Sequence, residues 1–288
     1  MTSIREYNKK LKSLKGTQKI TQTMKMISAG KLRKAHLAQI MAKQYATAVT
    51  HLISRVALSV SPEAHPLFQT RSEVKNILIL VITSDKGLCG AFNNNANKRV
   101  AAWIKDNEHR LKVDISCCGQ KGYAFFQKIH RIKTYYENVT ENPSFAEAKL
   151  IGQDLMDAFC HGEYEEVYIA YNQFFSPLSQ KTLFEKILPI DPKALIHPQG
   201  LQSREYLFVP DTEQLLAFLI PHYLYFRVYF ALLENLAGEH GARMTAMDNA
   251  SRNTTELMDK YVLLRNRARQ AAITTELTEI VAGAEALR

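Results

Sequence analysis

The sequence predicts an α/β fold in which two long terminal helices flank a compact middle domain. Three observations predict it. No proline occurs between Met1 and Ser61, and apolar residues recur there at helical spacing. The chain after Pro221 is also proline-free to its end and carries a similar stripe. Between them, Asn76–Thr83 is a continuous apolar run, as in a strand buried on both faces of a parallel sheet, and alternating helical and strand patterns follow it.

In the first segment, Ile4, Tyr7, Leu11 and Leu14 mark one helix face. Ile20, Met24 and Ile27 continue the stripe after a small phase shift. Leu32, Leu37, Ile40 or Met41, Val49, Leu52 and Val56 extend it. Gly16 and Gly30 each weaken a helix by about 1 kcal/mol relative to Ala. Ser61-Pro62 is the expected stop, which gives a helix over residues 1–60.

The middle segment, residues 70–210, alternates its patterns. A helical stretch over Asn94–Asn107 follows the first strand. Val113–Cys117 is a second strand, Gly119–Lys128 a turn and short helix, and Ile132–Tyr136 a weaker strand. Ser144–Cys160 is an amphipathic helix and Glu166–Asn172 another apolar strand. Thr182–Leu188 and Glu205–Val209 read as later, antiparallel strands. Strands alternating with helices imply a Rossmann-like layered sheet.

In the third segment, residues 212–288, the stripe runs through Phe226, Phe230, Leu233, Leu236 or Ala237, His240, Met244, Met247, Ala250, Leu257, Tyr261, Leu264, Ala268, Ala271 and Ala272. Periodic patterns of this length, well past that of an ordinary globular helix, point to a coiled coil. One helix leads into the middle domain and the other leads out, so side by side they run antiparallel. The apolar stretch Leu215–Leu233 contains Pro221, His222 and Arg227, and reads as a helix root buried against the α/β domain rather than a membrane span.

Composition excludes several classes. With 46% hydrophobic and 23% charged residues the chain is globular. Four cysteines without a CxxC pair fit a reducing compartment, and no apolar signal region lies between Met1 and Gly30. The net charge of +9 is unevenly placed: residues 1–60 hold 12 Lys and Arg and one acid, Glu6. Such a block suits nucleic acid, a membrane surface or an acidic protein.

Chemistry-bearing motifs are thin. The turn Ser84–Asn93 lacks G-x-G-x-x-G and G-x-x-x-x-G-K-[ST], as does Gly119–Gly122, so its glycines read as tight turns. Cys89 has no assignable histidine partner. The adjacent Cys117 and Cys118 point opposite ways along a strand and suit packing, and His36, His51, His65 and His240 form no metal-ligand spacing.

Three blocks carry a resemblance that covers the whole chain. They are Thr17–Thr21 with Met24–Ile27 and Lys31–Ala35; Ile82–Gly90; and Glu239–Met247 with Asn266–Val281. The sequence resembles the gamma subunit of bacterial F-type ATP synthase. Gly30 and Gly241 stand where that family often has Ser or Ala. No chloroplast-type cysteine-bearing insertion or mitochondrial presequence is seen.

The resemblance implies a central rotor shaft, non-catalytic itself, within the proton-transporting ATPase. Implied partners are the alpha and beta subunits of the catalytic ring, the epsilon and delta subunits, and the c-ring of the membrane sector, with one copy per complex and no nucleic acid. The place implied is the cytoplasmic face of the bacterial inner membrane. No catalytic, cofactor-binding or metal residue is implied. Coupling positions carried over by resemblance are Met24, Lys25, Arg243, Arg269, Gln270, Thr274, Glu276 and Thr278. The final Ala271–Leu287 stretch, rich in Ala and Thr, suits a bearing that turns inside an apolar sleeve. The alternative is a basic-helix nucleic-acid-binding or adaptor protein with an α/β domain. Against it, Arg and Lys are spread around the first helix rather than interleaved with aromatic stacking residues, and residues 1–60 contain no Trp or Phe for membrane insertion.

Overall fold

The computed structural model describes residues 4–57, 65–191 and 212–285. Helix α1 spans Ile4–Ala57 and helix α5 spans Thr212–Glu285. Between them come β1 (Asn76–Ile82), α2 (Phe92–Asn107), β2 (Lys112–Cys118), α3 (Gln120–Phe126), β3 (Ile132–Tyr136), α4 (Phe145–Cys160), β4 (Glu166–Ser176) and β5 (Ser179–Leu188). The expected strand at Glu205–Val209 and the expected stop at Ser61-Pro62 lie outside the described residues. Pro221 sits inside α5. The chain divides into two compact units, Met1–Ser28 with Arg243–Arg288, and Ala29–Ala242.

The second unit is the α/β body. Its five strands lie in the order β3-β2-β1-β4-β5, parallel except for β5, which runs antiparallel to β4. Alternation along β1 splits the core. Ile77, Ile79 and Val81 pack with Val100, Ile104 and Phe126 on the face of α2 and α3. Leu78, Leu80 and Ile82 pack with Ile151 and Leu155 of α4 and Leu224 and Val228 of α5. Each such fully buried aliphatic side chain contributes about 1.5–3 kcal/mol. Leu215–Leu233 is therefore a helix root against the sheet, and among the described residues no helix is long and apolar enough to cross a membrane. Helix α4 starts on a capping box, with Ser144 and Glu147 each bonding the other's backbone.

The adjacent cysteines do face opposite ways: Cys117 enters one core and Cys118 the other. Burial pushes the Cys117 thiol up to about 12 and raises that of Cys118 as well, so both are protonated packing groups at neutral pH.

The first unit pairs the start of α1 with α5 in antiparallel fashion. Tyr7 packs on Tyr261, Gln18 bonds Thr255 and Lys25 bonds Asp248, so rising numbers on one helix meet falling numbers on the other. One expectation is corrected here. The inward positions of α1 keep an unbroken 3–4 beat through Ile4, Tyr7, Leu11, Leu14, Gln18, Thr21, Lys25 and Ser28. There is no phase shift. Ile20 is 61% exposed and Ile27 55%. In the second unit Leu37, Ile40 and Met41 are likewise exposed, and on α5 so is Leu257. The heptad phase, held by the partner helix, overrides the hydrophobicity of single positions.

Candidate functional site

Between Gln18 and Ser28 the seam of the first unit is polar and small rather than oily. Thr21, Ser28, Ser251 and Thr254 are buried in it, with Met247. Two of its hydroxyls bond back onto their own helices: Thr21 donates to the Gln18 carbonyl and Thr254 to the Ala250 carbonyl. Gln18 Nε2 donates to Thr255 Oγ1 at 2.7 Å. Lys25 Nζ lies 2.5 Å from Asp248 Oδ1, and Arg252 lies 2.9 Å from Oδ2 of the same carboxylate. The Lys25 hydrogen bond holds the Asp248 carboxyl below its usual range, and the Arg252 charge acts in the same direction. Lys10 sits 5.3 Å over the Tyr261 ring.

The predicted coupling residues divide over this unit. Met24 is half-buried, and Lys25 is half-buried on Asp248. Arg243 is only 7% exposed, so it is no solvated helix residue. Arg269, Gln270, Thr274, Glu276 and Thr278 are all exposed. Arg243 and Gln270 lie on one helix about 40 Å apart at 1.5 Å per residue, so they cannot form a single cluster.

Every described side chain from residue 269 to 284 is exposed, including Ile273, Leu277, Ile280 and Val281. The threonines there turn their hydroxyls back onto the helix. Thr274 bonds the Gln270 carbonyl, Thr275 that of Ala271 and Thr278 that of Thr274. Their methyl groups are thus left for the surface. Ile273, Leu277, Ile280 and Val281 form one apolar stripe, with Ala and Thr methyls on the faces beside it, and such an exposed end with satisfied hydroxyls suits a close-fitting apolar surround.

In the second unit, the turns after β1 and β2 meet at the N-terminus of α3, where free backbone N–H groups could receive an anion. Here the chain's own groups fill the place. Asp85 Oδ1 accepts from the Gln120 backbone N–H at 2.9 Å and Oδ2 from the Thr140 hydroxyl at 2.5 Å, so a carboxylate sits where a phosphate would. Asn93 closes on Ser84 and on the Cys89 sulfur. Gly119 holds φ +98°, and a Cβ there would lie 2.6 Å from the Thr83 carbonyl oxygen, which leaves a backbone junction with no open cradle.

One group escaped the sequence reading. Glu234 of α5 is 3% exposed. Its Oε1 accepts from Gln39 Nε2 of α1 at 2.7 Å, and its Oε2 accepts from the Phe174 backbone N–H of β4 at 2.6 Å. Its neighbour Asn235 donates to the Thr83 carbonyl at the end of β1. The available signal was the charged residue interrupting the apolar run Phe230–Leu236. Gly241 also gains a reason: a Cβ there would meet Pro177 Cα at 3.1 Å and Phe174 Cε2 at 3.2 Å.

Comparison with known proteins adds to this geometry. A family model described as ATP synthase matches residues 3–287. The chain is 38% identical over 289 residues to the ATP synthase gamma chain of Trichlorobacter lovleyi and 40% identical over 289 residues to that of Geobacter metallireducens, covering 100% of both sequences in each case. A chain from the rotor of the Euglena gracilis mitochondrial ATP synthase shares the fold with a TM-score of 0.63 at 20% identity, over 94% of this chain and 98% of that one.

Proposed function

The chain belongs to the ATP synthase gamma-chain family, and on that premise we propose that it is the central rotor shaft of an F-type ATP synthase, coupling proton flow to ATP synthesis and hydrolysis. One observation carries the role onto this chain: the exposed helical end at residues 269–284, an uncovered apolar stripe flanked by Ala and Thr, with the threonine hydroxyls turned back onto the helix. Such a surface needs a sleeve, and small side chains let it turn within one. The shaft is non-catalytic, and its work is to present different faces to the catalytic subunits in turn.

In this reading one copy stands in each ring of alpha and beta subunits, with epsilon and delta in the same complex and the c-ring beneath. The complex sits at the cytoplasmic face of a bacterial inner membrane. Residues 1–60 and 212–288 act as the shaft and residues 70–210 as the body that receives torque. Met24 and Lys25 pass the acidic levers of beta. There the surplus of Lys and Arg between Arg5 and Arg55 supplies a screened attraction that holds no single register. Arg243, Arg269, Gln270, Thr274, Glu276 and Thr278 make the further contacts to the ring. The full-length gamma-chain relatives disfavour the nucleic-acid and adaptor reading.

The test is reconstitution with alpha and beta subunits. We expect one copy of this chain per ring and a ring whose hydrolysis depends on it. A chain that stays outside the ring, or enters it in several copies, ends the proposal.

A further inference from the structure

Strand β4 outruns its neighbour. It pairs with β1 only as far as Ala170, yet continues to Ser176. Beyond Ala170 its inner edge has no strand partner among the described residues, so its buried backbone polar groups need other partners, side chains or water. Asn172 Nδ2 donates to the Phe92 carbonyl, and the Phe174 N–H donates to Glu234.

Glu234 is a strong choice for that task because an ionised acceptor makes a shorter, stronger bond to a backbone N–H than a neutral one. Its second oxygen takes Gln39 of α1. His36, one helical turn back, has its Nδ1 at 2.8 Å from Gln39 Oε1. That oxygen only accepts, so the ring nitrogen donates and fixes the amide with its NH2 toward Glu234. The His36 ring in turn packs edge-on against the Phe174 ring, centroids 5.4 Å apart. The circuit closes on itself. Phe174 is held by its backbone to α5 and by its ring to α1, and Glu234 holds α1 and β4 at once. All of these residues lie within the second unit.

We propose that Glu234 is a positioning residue for torque transfer, locking both helices to the sheet so that a twist applied to the α/β body turns α1 and α5 together. This rests on the rotor-shaft reading. The hydrophobic effect itself is non-directional, so apolar packing holds register only through the fit of interdigitated side chains. A buried carboxylate bonded to two elements resists sliding, since displacing either leaves a charge without its partner.

The experiment uses the complete complex in membrane vesicles and measures ATP-driven proton pumping and ATP hydrolysis in parallel. Three variants are compared: Glu234→Leu, Glu234→Gln and Gln39→Leu. Glu234→Leu cuts both ties, and pumping per ATP hydrolysed is expected to fall several-fold while hydrolysis persists. Glu234→Gln can still accept from Phe174 and donate to a turned-over Gln39, so it should retain most of the ratio. Gln39→Leu frees only α1 and should fall between them. If Glu234→Leu fails to assemble, Gln39→Leu decides alone. An unchanged ratio in Gln39→Leu overturns the lock, and a reduced one supports it. Equal ratios in all assembled variants, or equal losses in Glu234→Leu and Glu234→Gln, also overturn it. Failure of the shaft reading looks different: the unaltered chain itself then neither enters the ring nor supports pumping.

Discussion

At the scale of single residues, the seam of the first unit includes a polar pair, Lys25 with Asp248, whose contribution depends on pH. Asp248 is held below its usual carboxyl range chiefly by the Lys25 hydrogen bond. A depressed folded-state value means that the pair stabilises the fold above the unfolded value, near about 4, and that this contribution disappears as pH falls through the folded value. Asp248→Asn should therefore destabilise the lone subunit near neutrality, with the gap to the unaltered chain closing below about pH 4. Urea unfolding at several pH values checks this; a gap constant down to the acid limb contradicts it. A second contrast lies between Arg243 and Gln270. Arg243 is buried, so Arg243→Ala removes packing along its stem as well as its charge, and should cost the lone chain about 1–2 kcal/mol. Gln270 is exposed, so Gln270→Ala should stay within about 0.5 kcal/mol in the lone chain and act only on turnover of the assembled ring. Thermal unfolding of the lone subunit, read beside steady-state hydrolysis, distinguishes them; equal stability loss in both contradicts the assignment.

At the scale of elements, Gly16 and Gly30 are helical positions with nothing within 4 Å of a would-be Cβ. Gly16→Ala and Gly30→Ala should each stabilise α1 by about 0.5–1 kcal/mol, because Ala loses less backbone entropy and meets no clash. Gly241→Ala should do the reverse, because Phe174 and Pro177 crowd the site. Circular dichroism melts of the three variants settle the signs. The elements themselves were largely legible in the sequence. The apolar run of β1, the helix at Ser144 and the proline-free ends all announce themselves through local pattern. What was not legible is phase and pairing. At Gln18 and Lys25 the sequence offers polar residues, and hydrophobicity alone moves the stripe to Ile20, Met24 and Ile27. The structure keeps Gln18 and Lys25 inward because Thr255 and Asp248 satisfy them from the other helix. Those partners lie at the far end of the sequence, where no local pattern can reach them. The same is true of Glu234: its role depends on Gln39 and Phe174, which nothing local predicts. Conversely, Ile20 and Ile27 look like core residues and lie on the outer face, where a partner subunit would find them.

At the scale of the whole molecule, the two units are built from different physics, and this sets how each opens. The second holds many fully buried aliphatic and aromatic side chains, among them Leu78, Leu80, Ile82, Ile115, Phe126, Ile151, Leu155 and Phe159. The first is joined mainly by half-buried Ile4, Tyr7, Leu11, Leu14, Tyr261 and Leu264 and by the buried Met247, with a polar stretch between Gln18 and Ser28. Burial of apolar area is the main favourable term in folding, whereas exposed or half-exposed ion pairs add about 0–1 kcal/mol each. The first unit therefore has less to hold it closed in the lone chain. A shaft can tolerate this, because in the assembled ring its exposed faces gain the contacts that the lone chain lacks. Native-state hydrogen exchange makes the difference measurable. In the lone subunit, the amides of residues 4–28 and 243–285 should exchange at least tenfold faster than those of β1, β2 and β4, an opening gap of about 1.4 kcal/mol or more. Adding the alpha and beta subunits should slow exchange in the first unit and leave the strands nearly unchanged. Uniform protection across both units in the lone chain would mean that the polar seam is as stable as the apolar core, and protection by the ring confined to the strands would put the sleeve contact on the wrong part of the molecule.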